Sequence, residues 1–215
     1  MKESDLELHA CTPSPLDPKA FNPAADIPYG CNTKHISKAM RDFLDFLGFV
    51  NMQLYSKKIQ RLESFLMPAN FSSMVGEFMS AAIPKYCSSL VKNSYHNGHP
   101  DLIPPNVYAN DSCQHGAEGI EIKASRHPSG WQGHNPENVW LMVFVFDSNT
   151  ARDHARGIEP RLFRFLKVVG ASLTKEDWSF SGRSATSRRT ITASVTRSGY
   201  LKMESNWIYK APPTD

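Results

Sequence analysis

A chain of 215 residues with 40% hydrophobic and 21% charged side chains has the composition of an ordinary globular protein, which excludes fibrous and disordered classes. Its longest unbroken apolar run, residues 139–146, is eight residues long and cannot span a bilayer; residues 1–5 are charged and lack a leader's apolar stretch, so a cytoplasmic, non-membrane protein is expected. The net charge of +3 is unevenly spread, with nine Lys or Arg against only Glu176 and Asp177 in residues 160–203, and seven against seven in residues 1–59. That concentration suits a C-terminal third facing a polyanion.

Residues 1–32 carry five prolines without sustained periodicity, which predicts an extended arm. Asn32 or Thr33 then offers an N-cap, and Ile36, Met40, Phe43, Leu44 and Leu47 recur at helical spacing up to Gly48, where this helix is expected to close. A second helix is predicted with Tyr55, Ile59, Leu62 and Leu66 on one stripe. A third starts near Asn70, buries Met74, Val75, Phe78 and Met79, and meets Pro84. After His99 the period changes: Leu102-Ile103, residues 119–124, 139–146 and 163–173 read as strands, the third buried on both faces. The tail reads as a hairpin, residues 191–195 returning through Ser198-Gly199 to Trp207-Ile208-Tyr209. Cys11, Cys31, Cys87 and Cys113 lie far apart with no CxxC, so free thiols are expected and a zinc site is not.

The chemistry-bearing stretch is Gly98-His99-Pro100-Asp101 followed by Glu121-Ile122-Lys123. In a strand, side chains alternate, so Ile120 and Ile122 point into a core while Glu121 and Lys123 emerge together on the other face. Asp101, beside its own short apolar segment, is expected to arrive on an adjacent strand. Two carboxylates suit Mg²⁺, which takes one or two acids plus water and phosphate, and an ammonium beside them can orient a water and offset negative charge. Pro-Asp in a turn and Glu-x-Lys on a solvated strand are also common without any chemistry.

Pro100-Asp101, nineteen intervening residues, then Glu121-Ile122-Lys123 resembles the PD-(D/E)xK nuclease superfamily, typified by type II restriction endonucleases. The resemblance implies an α/β (α+β) restriction-endonuclease-like core, a mixed central sheet flanked by helices with an N-terminal helical part. It implies metal ligation by Asp101, Glu121 and the Ile122 backbone carbonyl, with Lys123 catalytic and Mn²⁺ able to replace Mg²⁺. Many members add a glutamate from the preceding helix; Glu77 is the candidate, although it lies about 130° from the centre of the apolar stripe. The expected organisation is an arm (1–32) and one nuclease domain (33–215), helical over 33–92 and sheet-rich, catalytic and DNA-binding over 93–215.

Arg126, Gln132, His134 and Asn135 directly after the metal strand are candidate groove contacts, since amides and guanidinium groups read base edges. Trp131 in the same loop reads equally as a cover for the core, and His127 and His134 as alternative general bases. Arg183, Arg188 and Arg189 lie among small hydroxyl residues with no acid from 178 to 203, a pattern suited to phosphates. Trp178 and Phe180 read as core. The expected activity is Mg²⁺-dependent cleavage of double-stranded DNA by a homodimer paired with a protecting methyltransferase. A repair, junction-resolving or transposon-end nuclease, or a non-catalytic DNA-binding protein, are the alternatives.

Overall fold

In the computed structural model, which describes residues 3–133, 135–181 and 192–213, helices precede a mixed sheet. The helices are α1 (Glu3–Ala10), α2 (Thr33–Ser56), α3 (Leu62–Phe65) and α4 (Pro68–Ala82). The strands follow as β1 (Val91–Lys92), β2 (Leu102–Ile103), β3 (Ile120–Ser125), β4 (Gln132–Gly133), β5 (Val139–Asp147), β6 (Arg164–Leu173), β7 (Trp178–Ser181) and β8 (Thr192–Val195). Helix α5 (Arg197–Ser205) and β9 (Trp207–Lys210) complete the order. The six-stranded sheet runs β1-β2-β3-β5-β6-β9, with β3 and β5 parallel and every other pair antiparallel; β4-β8-β7 form a smaller antiparallel sheet. Among the described residues, no helix is long and apolar enough to cross a membrane.

Strand β5 is buried on both faces, as its apolar run predicts. Met142, Phe144 and Phe146 join Ile120, Ile122 and the α2 and α4 residues Phe43, Phe71 and Val75 on the helix side. Leu141, Val143 and Val145 point the other way, against Trp131, Trp178, Ala193, Val195 and Met203. The period of two thus divides one strand between two cores.

Helix α2 begins where expected: the Asn32 side chain accepts from the Lys34 and His35 amides at 3.0 and 3.3 Å. It does not stop at Gly48 but runs to Ser56. A Cβ at position 48 would lie 3.2 Å from Pro13 Cδ, so the glycine makes room for the arm instead of ending the helix. The second expected helix is reduced to α3, because Lys58 turns into left-handed backbone (φ 58°) and leaves Ile59 exposed. The arm is partly helical, through α1 and a 3-10 turn at Pro18–Ala20. Its remainder is pinned by Ser14 N–H to the Phe163 carbonyl (2.8 Å) and Asn22 N–H to the Ile208 carbonyl (3.0 Å). The arm therefore covers the β9 edge of the sheet, where unpaired backbone would otherwise face water.

The expected terminal hairpin is absent. Ser198-Gly199 forms the first turn of α5, with the Thr196 hydroxyl accepting from Gly199 N–H, and β9 pairs with β6. Gly199 is buried, and a Cβ there would meet the Asp177 carbonyl oxygen at 3.0 Å.

The helical part is joined to the sheet by a polar knot. Arg61 and Glu63, 2% and 1% exposed, pair at 2.5 Å. The guanidinium also reaches Glu7 Oε2 (2.8 Å), Asn149 Oδ1 (2.9 Å) and the Arg161 carbonyl (3.1 Å), while Asn51 donates to Glu63 at 3.0 Å. α1, α2, α3 and the β5–β6 loop thus share one buried cation. Removing one partner of such a pair strands the other charge, so Arg61→Ala is expected to lower unfolding free energy by about 3–5 kcal/mol in urea titration.

Candidate active site

Strand β3 alternates as predicted. Ile120 and Ile122 are buried, 0% and 5% exposed, while Glu121 and Lys123 lie opposite Leu141 and Val143 of β5, with Lys123 Nζ 3.0 Å from Glu121 Oε1. The β2–β3 pairing is confined to Leu102 and Ile120, so the edge of β3 lacks a strand partner at Ile122. The Asp101 carboxylate takes that place: its Oδ2 accepts the Ile122 N–H at 2.8 Å. Since the N–H and C=O of a strand residue leave by the same edge, the Ile122 carbonyl is directed to the Asp101 side. Asn93 holds the loop before Asp101, its backbone N–H donating to the Asp101 carbonyl (2.8 Å) and its side chain to the carbonyls of Pro100 (3.0 Å) and Cys113 (2.8 Å).

His99, joined to Pro100 by a cis peptide bond, is the main residue the sequence reading missed. Its Nδ1 lies 2.9 Å from Glu121 Oε2 and its Nε2 lies 2.9 Å from Glu137 Oε2. Burial opposes its charge, but Glu121, Glu137 and Asp101 outweigh burial and hold its pKa above the ordinary histidine value. Burial likewise opposes ionisation of Glu121, yet the His99 hydrogen bond and the Lys123 charge bring its pKa down to about 2. Asp101 goes the other way: burial, then Glu121, pushes it up to about 7 against the Ile122 N–H and Lys123. One signal was available, because His99 stands two residues before Asp101.

A cleft of about 960 Å³ is lined by Glu77, Lys92, Asn93, His99, Asp101 and Glu121, among others. Glu77 reaches it because α4 lies against β3, where a Cβ on Gly76 would sit 3.9 Å from the Ala124 amide. Glu77 is exposed and paired with Lys92 at 2.7 Å, so it stands at the rim. Asp101 and Glu121 line the cleft together, and the Ile122 carbonyl is directed to the same side.

The other candidates divide. The Arg126 guanidinium donates to Ser148 Oγ (2.7 Å), to the Asn149 carbonyl (3.0 Å) and to the Ser148 carbonyl, so it braces the β5–β6 loop and is not free to read a base. Trp131 is core, 3% exposed, with its indole donating to the His127 carbonyl at 3.0 Å. Gln132, Asn135 and His127 are exposed. Trp178 is core as expected; Phe180, 50% exposed, is not. His134, Arg183, Arg188 and Arg189 lie outside the described residues. The basic third is also less free than its composition suggests: Lys202 pairs with Asp177 (2.6 Å), Lys167 with Glu204, and Arg161 with Asp147 (3.3 Å). All four cysteines carry free thiols, but Cys31 and Cys87 meet His35.

The shifts of the two acids predict opposite behaviour without metal. Asp101, raised in the fold, contributes stability that is present below its unfolded value and lost as pH rises through about 7. Glu121, lowered in the fold, contributes stability that is present above its unfolded value and lost as pH falls towards 2. At pH 8 with chelator, Asp101→Asn is therefore expected to raise Tm and Glu121→Gln to lower it, at about 2–4 °C per kcal/mol in a chain of this size, read by calorimetry.

No protein-family model, no curated protein and no solved structure matches this chain, so its site is interpreted from its own residues.

Proposed function

We propose that the chain is a Mg²⁺-dependent endonuclease acting on double-stranded DNA, of restriction-endonuclease-like architecture. One observation carries the reading: Asp101, bonded to the β3 edge at Ile122, and Glu121, paired with Lys123, line one cleft. The order of elements supports it, with the Pro-Asp segment antiparallel to the Glu-x-Lys strand and α4 packed behind.

In this reading Asp101, Glu121 and the Ile122 carbonyl hold the cation, with Glu77 at the rim. Bound Mg²⁺ supplies charge neutralisation at the phosphate and a more acidic water. Lys123, whose ammonium lies 3.0 Å from Glu121, would orient the attacking water and offset the charge that builds on the phosphate. Lys123 and His99 occupy both Glu121 oxygens, so a cation there would replace His99, which would keep Glu137 as its partner. Gln132 and Asn135, exposed beyond the end of β3, are the described candidates for base contacts, and His134 with Arg183, Arg188 and Arg189 remain part of the proposed DNA surface.

A type II site-specific enzyme is the form we favour, working as a homodimer with a companion methyltransferase, since two cuts at one locus need two centres. Phe49, Met52, Ile59, Phe65 and Met67, each more than 40% exposed along α2, α3 and the start of α4, are the dimer surface in this proposal. A repair, junction-resolving or transposon-end nuclease would use the same site. One observation favours a non-catalytic DNA-binding protein instead: His99 and Lys123 already satisfy Glu121 without a cation.

The test is plasmid DNA incubated with protein and Mg²⁺, followed by sequencing of fragment ends. Wild type is expected to give discrete fragments, whereas Asp101→Asn and Lys123→Ala each lose at least about a hundredfold in rate while retaining DNA binding. Equal cutting by both variants would remove the catalytic assignment. DNA affinity is also expected to fall linearly on a log–log plot against salt, with slope about −0.9 per phosphate neutralised; a flat plot would remove the phosphate surface.

A further inference from the structure

The Pro28–Cys31 turn, in which Cys31 N–H donates to the Pro28 carbonyl at 3.2 Å, brings a buried thiol to the start of α2. Tyr29 and Gly30 both take left-handed backbone (φ 59° and 66°), which reverses the chain sharply enough to aim Cys31 inward. His35 lies four residues on, in the first turn of α2. Cys87 comes from the other direction, after the 3-10 turn Ile83–Lys85 that ends α4, and is 2% exposed. The two sulfurs and one imidazole nitrogen all lie within 4.8 Å of one another.

An independent observation marks the cluster as incomplete. His35 Nδ1 is, among the described residues, the buried side-chain nitrogen or oxygen without a hydrogen-bond partner. Buried polar atoms are almost always paired, and neither thiol donates to this one. The imidazole that meets the two sulfurs thus carries a buried nitrogen with no partner.

We propose that Cys31, His35 and Cys87 form a zinc site. Two thiolates and an imidazole are borderline-soft donors that suit Zn²⁺ and disfavour Mg²⁺ and Ca²⁺. Tetrahedral Zn–S and Zn–N bonds of about 2.3 and 2.0 Å set ligand atoms about 3.5–3.8 Å apart, so closure from a 4.8 Å ceiling needs a movement of at most about 1.3 Å. The three protein ligands leave the fourth position to water. Binding releases the two S–H protons to solvent and changes no oxidation state. The ion would clamp the arm and the start of α2 to the exit of α4. The same turn reaches the active strand, since Gly119 N–H donates to the Tyr29 hydroxyl at 2.7 Å just before β3.

The test is Co²⁺ titration of the reduced, chelator-treated protein, followed by Zn²⁺. One thiolate-bound Co²⁺ per chain is expected, with a thiolate-to-cobalt band in the near ultraviolet that carboxylates cannot produce and that one equivalent of Zn²⁺ removes. Cys31→Ala and Cys87→Ala are expected to abolish the band, Cys113→Ser to keep it, and His35→Cys to keep Co²⁺ with stronger thiolate absorption. Because a ligand variant can lose its fold together with its metal, wild type decides alone: folded protein without that band overturns the site. Retention of the band by both alanine variants, or a Cys31–Cys87 disulfide in the freshly purified protein, overturns it as well.

Discussion

At the edge of β3 a carboxylate does the work of a strand. Pairing from β2 ends at Ile120, and the Ile122 N–H two residues further on would face the cleft unpaired. Asp101 accepts it, which places an acid against the backbone of the strand that carries Glu121 and Lys123. Everything in the site depends on that substitution. It brings two acids together, opens a cleft where a longer β2 would have closed the sheet, and leaves the Ile122 carbonyl on the open side. A longer β2 would satisfy the backbone and erase the site.

The electrostatics follow from this crowding. Asp101 and Glu121 share a largely buried space, and the charge is unequally divided: Glu121 stays ionised because His99 and Lys123 face it, and Asp101 is driven towards its neutral form. His99 is held between Glu121 and Glu137, and those acids raise its pKa above the ordinary histidine value. Two structural supports keep this geometry in place: the Arg61–Glu63 knot fastens the helices to the β5–β6 loop, and the Pro28–Cys31 turn holds Tyr29 against the residue that enters β3.

Much of this was legible in the order of residues. The alternation at 120–123 places Glu121 and Lys123 on one face, the apolar run at 139–146 demands burial on both sides, and Asn32 caps α2, because each depends only on neighbours a few residues apart. Local rules failed where distant contacts overrode them. Gly48 reads as a helix stop but accommodates Pro13, and Ser198-Gly199 reads as a hairpin turn but begins α5, where Thr196 caps the helix and Gly199 fits against Asp177. Arg126 reads as a base reader but is consumed by Ser148 and Asn149.

The sequence by itself therefore determined a helix-then-sheet α/β chain and the pairing of an acid with an amine on one strand face, since strand periodicity is a property of adjacent peptide units. Only the tertiary structure decided which groups meet that pair. Arg61 finds Asn149 88 residues away, and Cys31 finds Cys87 across fifty-six, distances over which no period or motif carries information. His99 stood near enough to be noticed, but its role required Glu137, delivered by the loop leading into β5. Contacts of that kind are set by how the layers pack, and packing is where local preference ceases to decide.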